Sequence, residues 1–136
     1  MDFSKSMAVA ASGLRAQTER MKIISENIAN ANSTSPTKGG DPYRRKIATL
    51  TTDFDRELGA SLVNAGKPLP DKSDFRNQYD PGNPNADKQG YVKLPNVDSL
   101  VEIMDMREAQ RSYEADLSVM ESTKQMLAKT VDLLNK

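Results

Sequence analysis

The sequence predicts a mainly α-helical protein with a small β-rich insert, its long N- and C-terminal helices pairing as an antiparallel coiled coil. Three observations carry this prediction. Apolar residues recur at alternating three- and four-residue spacings towards both ends of the 136-residue chain, the period of a narrow helical seam. All seven prolines and six of the seven glycines fall between Pro36 and Pro95, where they break helices and make turns. The apolar share is 37%, with 5% aromatic, which is thin for one conventional core.

The first helix is read over residues 1–32. Phe3, Met7, Ala10, Leu14, Met21, Ile24, Ile28 and Ala31 follow the three-four spacing, with Gln17 as the polar member. Met7, Leu14, Met21, Ile24 and Ile28 are the candidate seam residues. Such a helix is roughly 40 Å long at 1.5 Å per residue. Gly13 weakens it and lets a neighbouring backbone approach. Asn27, Asn30 and Asn32 crowd its end, where one stop signal is enough. Asn27 and Asn32 flank the seam and Asn30 points outward, so these amides are candidates for polar contacts with another subunit. Helix fraying and capping is the simpler alternative. "NST" at residues 32–34 matches a glycosylation sequon by chance.

Residues 33–96 read as an irregular β-rich middle segment. "RRKIATLTTDF" (44–54) is a strand candidate with Ala48, Leu50, Thr52 and Phe54 on one face, and "GASLVNAG" and "FRNQY" are weaker ones. Arg44, Arg45 and Lys46 read as a solvated strand end, the alternative being a basic run that meets a phosphate or an acidic neighbour. Asp80, Asn83, Asn85 and Asp87 are rich in oxygen but lack the spacing of a calcium loop; turn formation explains them.

The second helix is read over residues 97–136, with Asn96 or Asp98 as its cap. Its candidate seam is Ile103, Met106, Tyr113, Leu117, Met120, Leu127, Val131 and Leu134, interrupted by Gln110 and Lys124. Two helices with one narrow stripe each are under-buried. The pair is therefore expected to be completed by helices of neighbouring subunits, its ends loose in an isolated monomer. Arg111 and Tyr113 are expected at inter-subunit contacts, since both residue types serve as interface anchors.

Composition narrows the function classes. Nineteen basic and nineteen acidic residues cancel, against binding to nucleic acid. With no cysteine and no histidine, thiolate chemistry and the commonest general base are missing. No catalytic, metal or cofactor site is expected. The N-terminus lacks the continuous apolar run of a secretory signal. A helical adaptor or chaperone and a hydrolase using carboxylates alone are the rival readings. The acidic residues read as spread over helix surfaces, which disfavours the hydrolase.

Two stretches carry a resemblance. "SGLRAQTERMKIISENIANANSTS" (12–35) and the segment containing "GYVKLPNV" and "RSYEAD" (90–97, 111–116) are similar to the flagellar basal-body rod proteins, the second block to their proximal-rod members. Asp116 departs from the pattern, where asparagine is more usual. The resemblance implies a non-enzymatic structural subunit with no cofactor and no small-molecule substrate. It implies export through the flagellar type III apparatus without a cleaved signal, and polymerisation in the periplasm. The terminal helices would line the tube and the middle segment would face outward. Partners would be copies of itself, other rod proteins and the junction protein that links the rod to the MS ring.

Overall fold

The computed structural model describes residues 2–136. Helix α1 spans Phe3–Ala29 and helix α2 spans Ser99–Leu134. Between them lie β1 (Lys46–Ile47), β2 (Leu50–Asp55), β3 (Ala60–Ala65), β4 (Leu69–Pro70), β5 (Arg76–Tyr79) and β6 (Tyr91–Leu94). They form three two-stranded antiparallel sheets, β1–β4, β2–β3 and β5–β6. Two terminal helices around a small antiparallel β insert match the order read from the sequence.

Both helices start on an acidic cap. Asp2 Oδ1 accepts from the Lys5 amide at 3.2 Å, and Asp98 Oδ1 accepts from the Leu100 amide at 3.0 Å. Each satisfies a backbone donor that the first turn leaves without a partner. At the other end of α1, the Asn30 side chain donates to the Glu26 carbonyl at 2.8 Å and Ser33 Oγ donates to the Asn30 carbonyl at 2.9 Å. Asn30 thus closes its own helix, the capping role open to an asparagine there.

The chain divides into two compact units. Unit 1 comprises the residues up to Met21, Thr49–Lys67 and Arg107–Lys136; unit 2 comprises Lys22–Ala48 and Pro68–Met106. Each helix contributes a segment to both.

Unit 1 is built on small residues. Ala10, Ser12, Ala16, Ala109 and Thr123 are its buried side chains. The hairpin β2–β3 pairs from Leu50↔Ala65 to Asp55↔Ala60. Its turn needs Gly59, which sits at φ +67°, a region glycine enters without steric cost. The Val63 amide of β3 donates to Ser12 Oγ at 3.1 Å, so a helix hydroxyl takes up a strand donor turned away from the hairpin ladder. Where α1 meets α2, a Cβ on Gly13 would stand 2.9 Å from Asp116 Cγ. The glycine is what makes room for that carboxylate.

Unit 2 holds the larger apolar groups. On β6, Val92 and Leu94 are buried while Tyr91 and Lys93 are exposed. With Ile23, Ile24, Ala31, Ala86 and Val97 they form its core. The Arg76 guanidinium donates to the Ala31 carbonyl at 2.7 Å and to the Pro95 carbonyl at 3.0 Å, tying the end of α1 to the segment after β6. Asp87 Oδ1 accepts from the amides of Gln89 and Tyr91, and Asn83 Oδ1 from that of Asn85. These oxygens are spent on turns, as their sequence context predicts.

The strand expected over residues 44–54 is corrected. It breaks at Ala48–Thr49, with β1 pairing β4 in unit 2 and β2 pairing β3 in unit 1. Local β-propensity is continuous across the break; only the choice of partners divides it. The pairing of Leu69–Pro70 was also outside the sequence reading, because proline argues against a strand. A two-residue pairing has a free side on which a missing donor costs nothing.

Candidate functional site

Helix α2 carries two stripes side by side. Its inward column is Glu102, Ala109, Asp116 and Thr123, each seven residues after the last. Glu102, Ala109 and Thr123 are buried, and Asp116 is half-buried against Gly13. The heptad reading had placed the inward column one residue later, at Ile103, Gln110, Leu117 and Lys124. Ile103 and Leu117 are instead exposed, at 45% and 39%. The reason is that phase was read from apolar residues, whereas the close contact uses small and polar ones. Gly13 on α1, having no side chain of its own, leaves room for the Asp116 carboxylate.

The neighbouring column is less displaced. Met106, Tyr113 and Met120 are half-buried, and Tyr113 lines a shallow cleft of about 430 Å³ together with Leu14 of α1 and Val63 of β3. Phe3 and Met7 face Leu127 across an open depression. In unit 1 the helices run antiparallel, since Met7 meets Leu127, Gly13 meets Asp116, and Arg20 pairs with Glu108 at 3.5 Å. On α1, Ile24 is buried, while Leu14, Met21 and Ile28 are half-buried.

Past Thr123 the pattern opens out. Leu127 is 44% exposed, Val131 is also open to solvent and Leu134 is 81% exposed. Every side chain from Lys124 to Lys136 is exposed. Ile103, Leu117, Leu127, Val131 and Leu134 therefore leave an exposed apolar ribbon on α2, of which Leu127 borders the open depression with Phe3 and Met7. Arg111 is exposed as well.

The asparagines separate into distinct roles. Asn27, expected at a contact with another subunit, is 1% exposed. Its side-chain carbonyl accepts from the Lys46 amide at 3.0 Å and from the Tyr43 hydroxyl at 2.6 Å. Its amide nitrogen donates to the Lys46 carbonyl at 2.8 Å and to Glu102 Oε2 at 3.3 Å. The side chain acts as a strand neighbour to Lys46 and has nothing left for a partner molecule. Asn32 is exposed.

Glu102 was missed by the sequence reading and is fully buried. Its carboxylate binds Arg45 through Nε, and Arg45 also meets Asp71 at 3.1 Å and Asp105 at 3.6 Å. Arg45 is thus no solvated strand end. Its backbone amide donates to Asn96 Oδ1 at 2.8 Å, while Asn96 Nδ2 donates to the carbonyls of Asp71 and Ser73. Burial pulls the Arg45 guanidinium pKa down, but the hydrogen bonds and charges of Glu102 and Asp71 outweigh it and the net shift is upward. Hydrogen bonds from the Ser73 backbone and hydroxyl, reinforced by Arg45, hold Asp71 below the usual carboxylate value. Burial raises the Tyr43 phenol, helped by the charges of Glu26 and Glu102. Burial alone raises Asp116.

Among the described residues no cluster of acidic side chains is arranged to hold a metal ion, and no helix is long and apolar enough to cross a membrane.

Residues 7–35 match the family described as "Flagella basal body rod protein", and residues 88–133 match the one described as "Flagellar basal body rod FlgEFG protein C-terminal". The flagellar basal-body rod protein FlgC of Agrobacterium fabrum is 50% identical over 131 residues, 96% of this chain and 94% of that one. FlgC of Bacillus subtilis is 38% identical, covering 94% of this chain and 95% of that relative. FlgC of Salmonella typhimurium is 37% identical, covering 92% of each.

Proposed function

This chain belongs to the FlgC family of flagellar basal-body rod proteins, as a structural subunit of that rod, and on that premise we propose how it assembles. The helix pair of residues 1–32 and 97–136 forms the inner part of the rod, where helices of adjacent subunits complete it as a coiled coil. Residues 33–96 face outward. A contact between unlike faces that does not close on itself generates a helical tube, and the buried seams of that tube transmit torque. Neighbours are copies of this chain, other rod proteins and the junction protein to the MS ring. The chain reaches the periplasm through the flagellar type III apparatus and performs no catalysis.

The observation that carries this reading is the exposed ribbon on α2. Ile103, Leu117, Leu127, Val131 and Leu134 repeat at helical spacing yet lie open, and an apolar helical stripe of that kind serves to be covered by another helix. Asn32 and Arg111, both exposed, are the remaining polar candidates for contacts with a neighbouring subunit.

The test is Leu127→Asp, expressed in a strain lacking the native subunit. The expected result is normal expression of the protein with loss of rod assembly and of swimming. Full motility, with the purified protein instead forming a finite complex with a partner helix, would favour the adaptor reading.

A further inference from the structure

In unit 2, the first turns of α2 bury no apolar side chain. The first turns of α2 put Glu102, a fully buried acid, at the inward position, while Leu100, Val101, Ile103 and Met104 around it are exposed. What holds this end of α2 is Arg45, from the residue before β1. The same stretch holds the end of α1, because Lys46 makes backbone bonds to the Asn27 amide through both its N–H and its carbonyl. Asn27 and Glu102 are themselves joined at 3.3 Å. The backbone of Arg45 is fixed in turn by Asn96. Asn27 and Glu102 are buried, Arg45 and Asn96 are half-buried, and Lys46 takes part through its backbone alone.

We propose that Arg45 and Glu102 are a conformational latch, so that the last turns of α1 and the first turns of α2 keep their helical order only while the strand segment 43–47 is docked against both. A carboxylate buried without its arginine is strongly unfavourable, so undocking this segment releases both helix ends together. On α2 the apolar groups nearby cannot substitute, because Leu100, Val101, Ile103 and Met104 are exposed; on α1, Ile23 and Ile24 are buried and the latch adds to them. The latch is a property of the free chain and does not rest on the proposed assembly.

The test is amide hydrogen exchange on the purified full-length chain and two variants. In Arg45→Met, exchange should accelerate at least ~100-fold in both 22–29 and 99–106, while the hairpin 50–65 stays unchanged. In the double variant Arg45→Met/Glu102→Leu, which removes the stranded carboxylate, most of the protection should return. Unchanged exchange in Arg45→Met would overturn the latch. So would equal loss in 50–65, which is global unfolding, or a double variant that exchanges as fast as the single one.

Discussion

The first and last turns of α2 are both amphipathic, yet they are stabilised by opposite means. At the start, a buried glutamate is matched by an arginine and an asparagine, and the whole cluster lies within unit 2. At the end, residues 124–136 have no buried side chain at all. One end has its partners within the chain; at the other, Leu127 only borders an open depression with Phe3 and Met7, and Val131 and Leu134 are exposed. The difference teaches that a heptad count alone does not say where a helix is held. Polar burial is an intramolecular device here, because every donor must meet its acceptor in a fixed geometry. The exposed apolar ribbon asks only for a surface of matching shape, which on the proposed reading is another subunit.

The sharpest way to break this contrast is Asn27→Ala. It deletes four hydrogen bonds and leaves the Lys46 backbone groups and Tyr43 without partners. The expected loss is about 2–4 kcal/mol in urea unfolding, far above the effect of an exposed change. A loss under about 1 kcal/mol would mean that the cluster is replaceable by water.

A smaller effect distinguishes two aspartates by pH. The pKa of Asp71 is lowered on folding, so its stabilising contribution is present above the unfolded value of about 3.8 and disappears as pH falls through the folded one. Asp116 is raised by burial, so ionising it costs stability, and that cost vanishes as pH falls through its folded pKa. Asp116→Asn should therefore stabilise the protein at neutral pH by under about 1 kcal/mol, with the gain shrinking in acid. Asp71→Asn should destabilise it at neutral pH and flatten the acid limb. Urea midpoints measured from pH 3 to pH 7 (roughly the carboxylate titration range) check both signs.

The smallest effect is expected at the open end of α2. Leu127→Asp should shift the stability of the isolated chain by no more than about 0.5 kcal/mol, although the same variant is expected to stop assembly. A large loss in the monomer would place Leu127 in an intramolecular core and remove the contrast.

Much of this was legible beforehand, for identifiable reasons. Helix periodicity, the Pro/Gly-rich middle and the Asp98 cap are local signals, and local signals survive folding. The phase of α2 was misread by one residue because Glu102, Asp116 and Thr123 carry no apolar mark and Ala109 only a small one; only a facing Gly13 makes Asp116 sensible in an inward column. Glu102 looked ordinary, since an acid in the first turn of a helix is favoured by the helix dipole without any burial. Its significance depends on Arg45, 57 residues away, and no local pattern links them. The break at Ala48–Thr49 was invisible for the same reason. The three asparagines did announce something unusual, but for Asn27 the object was the chain's own strand.

The central claim is that the ribbon on α2 is open in the free chain and covered in the rod. The chain has no cysteine, so Leu127→Cys supplies a single thiol whose maleimide labelling can be compared in the monomer and in isolated basal bodies. Fast labelling of the monomer and strong protection in the rod is the predicted result. Equal labelling in both states would contradict it.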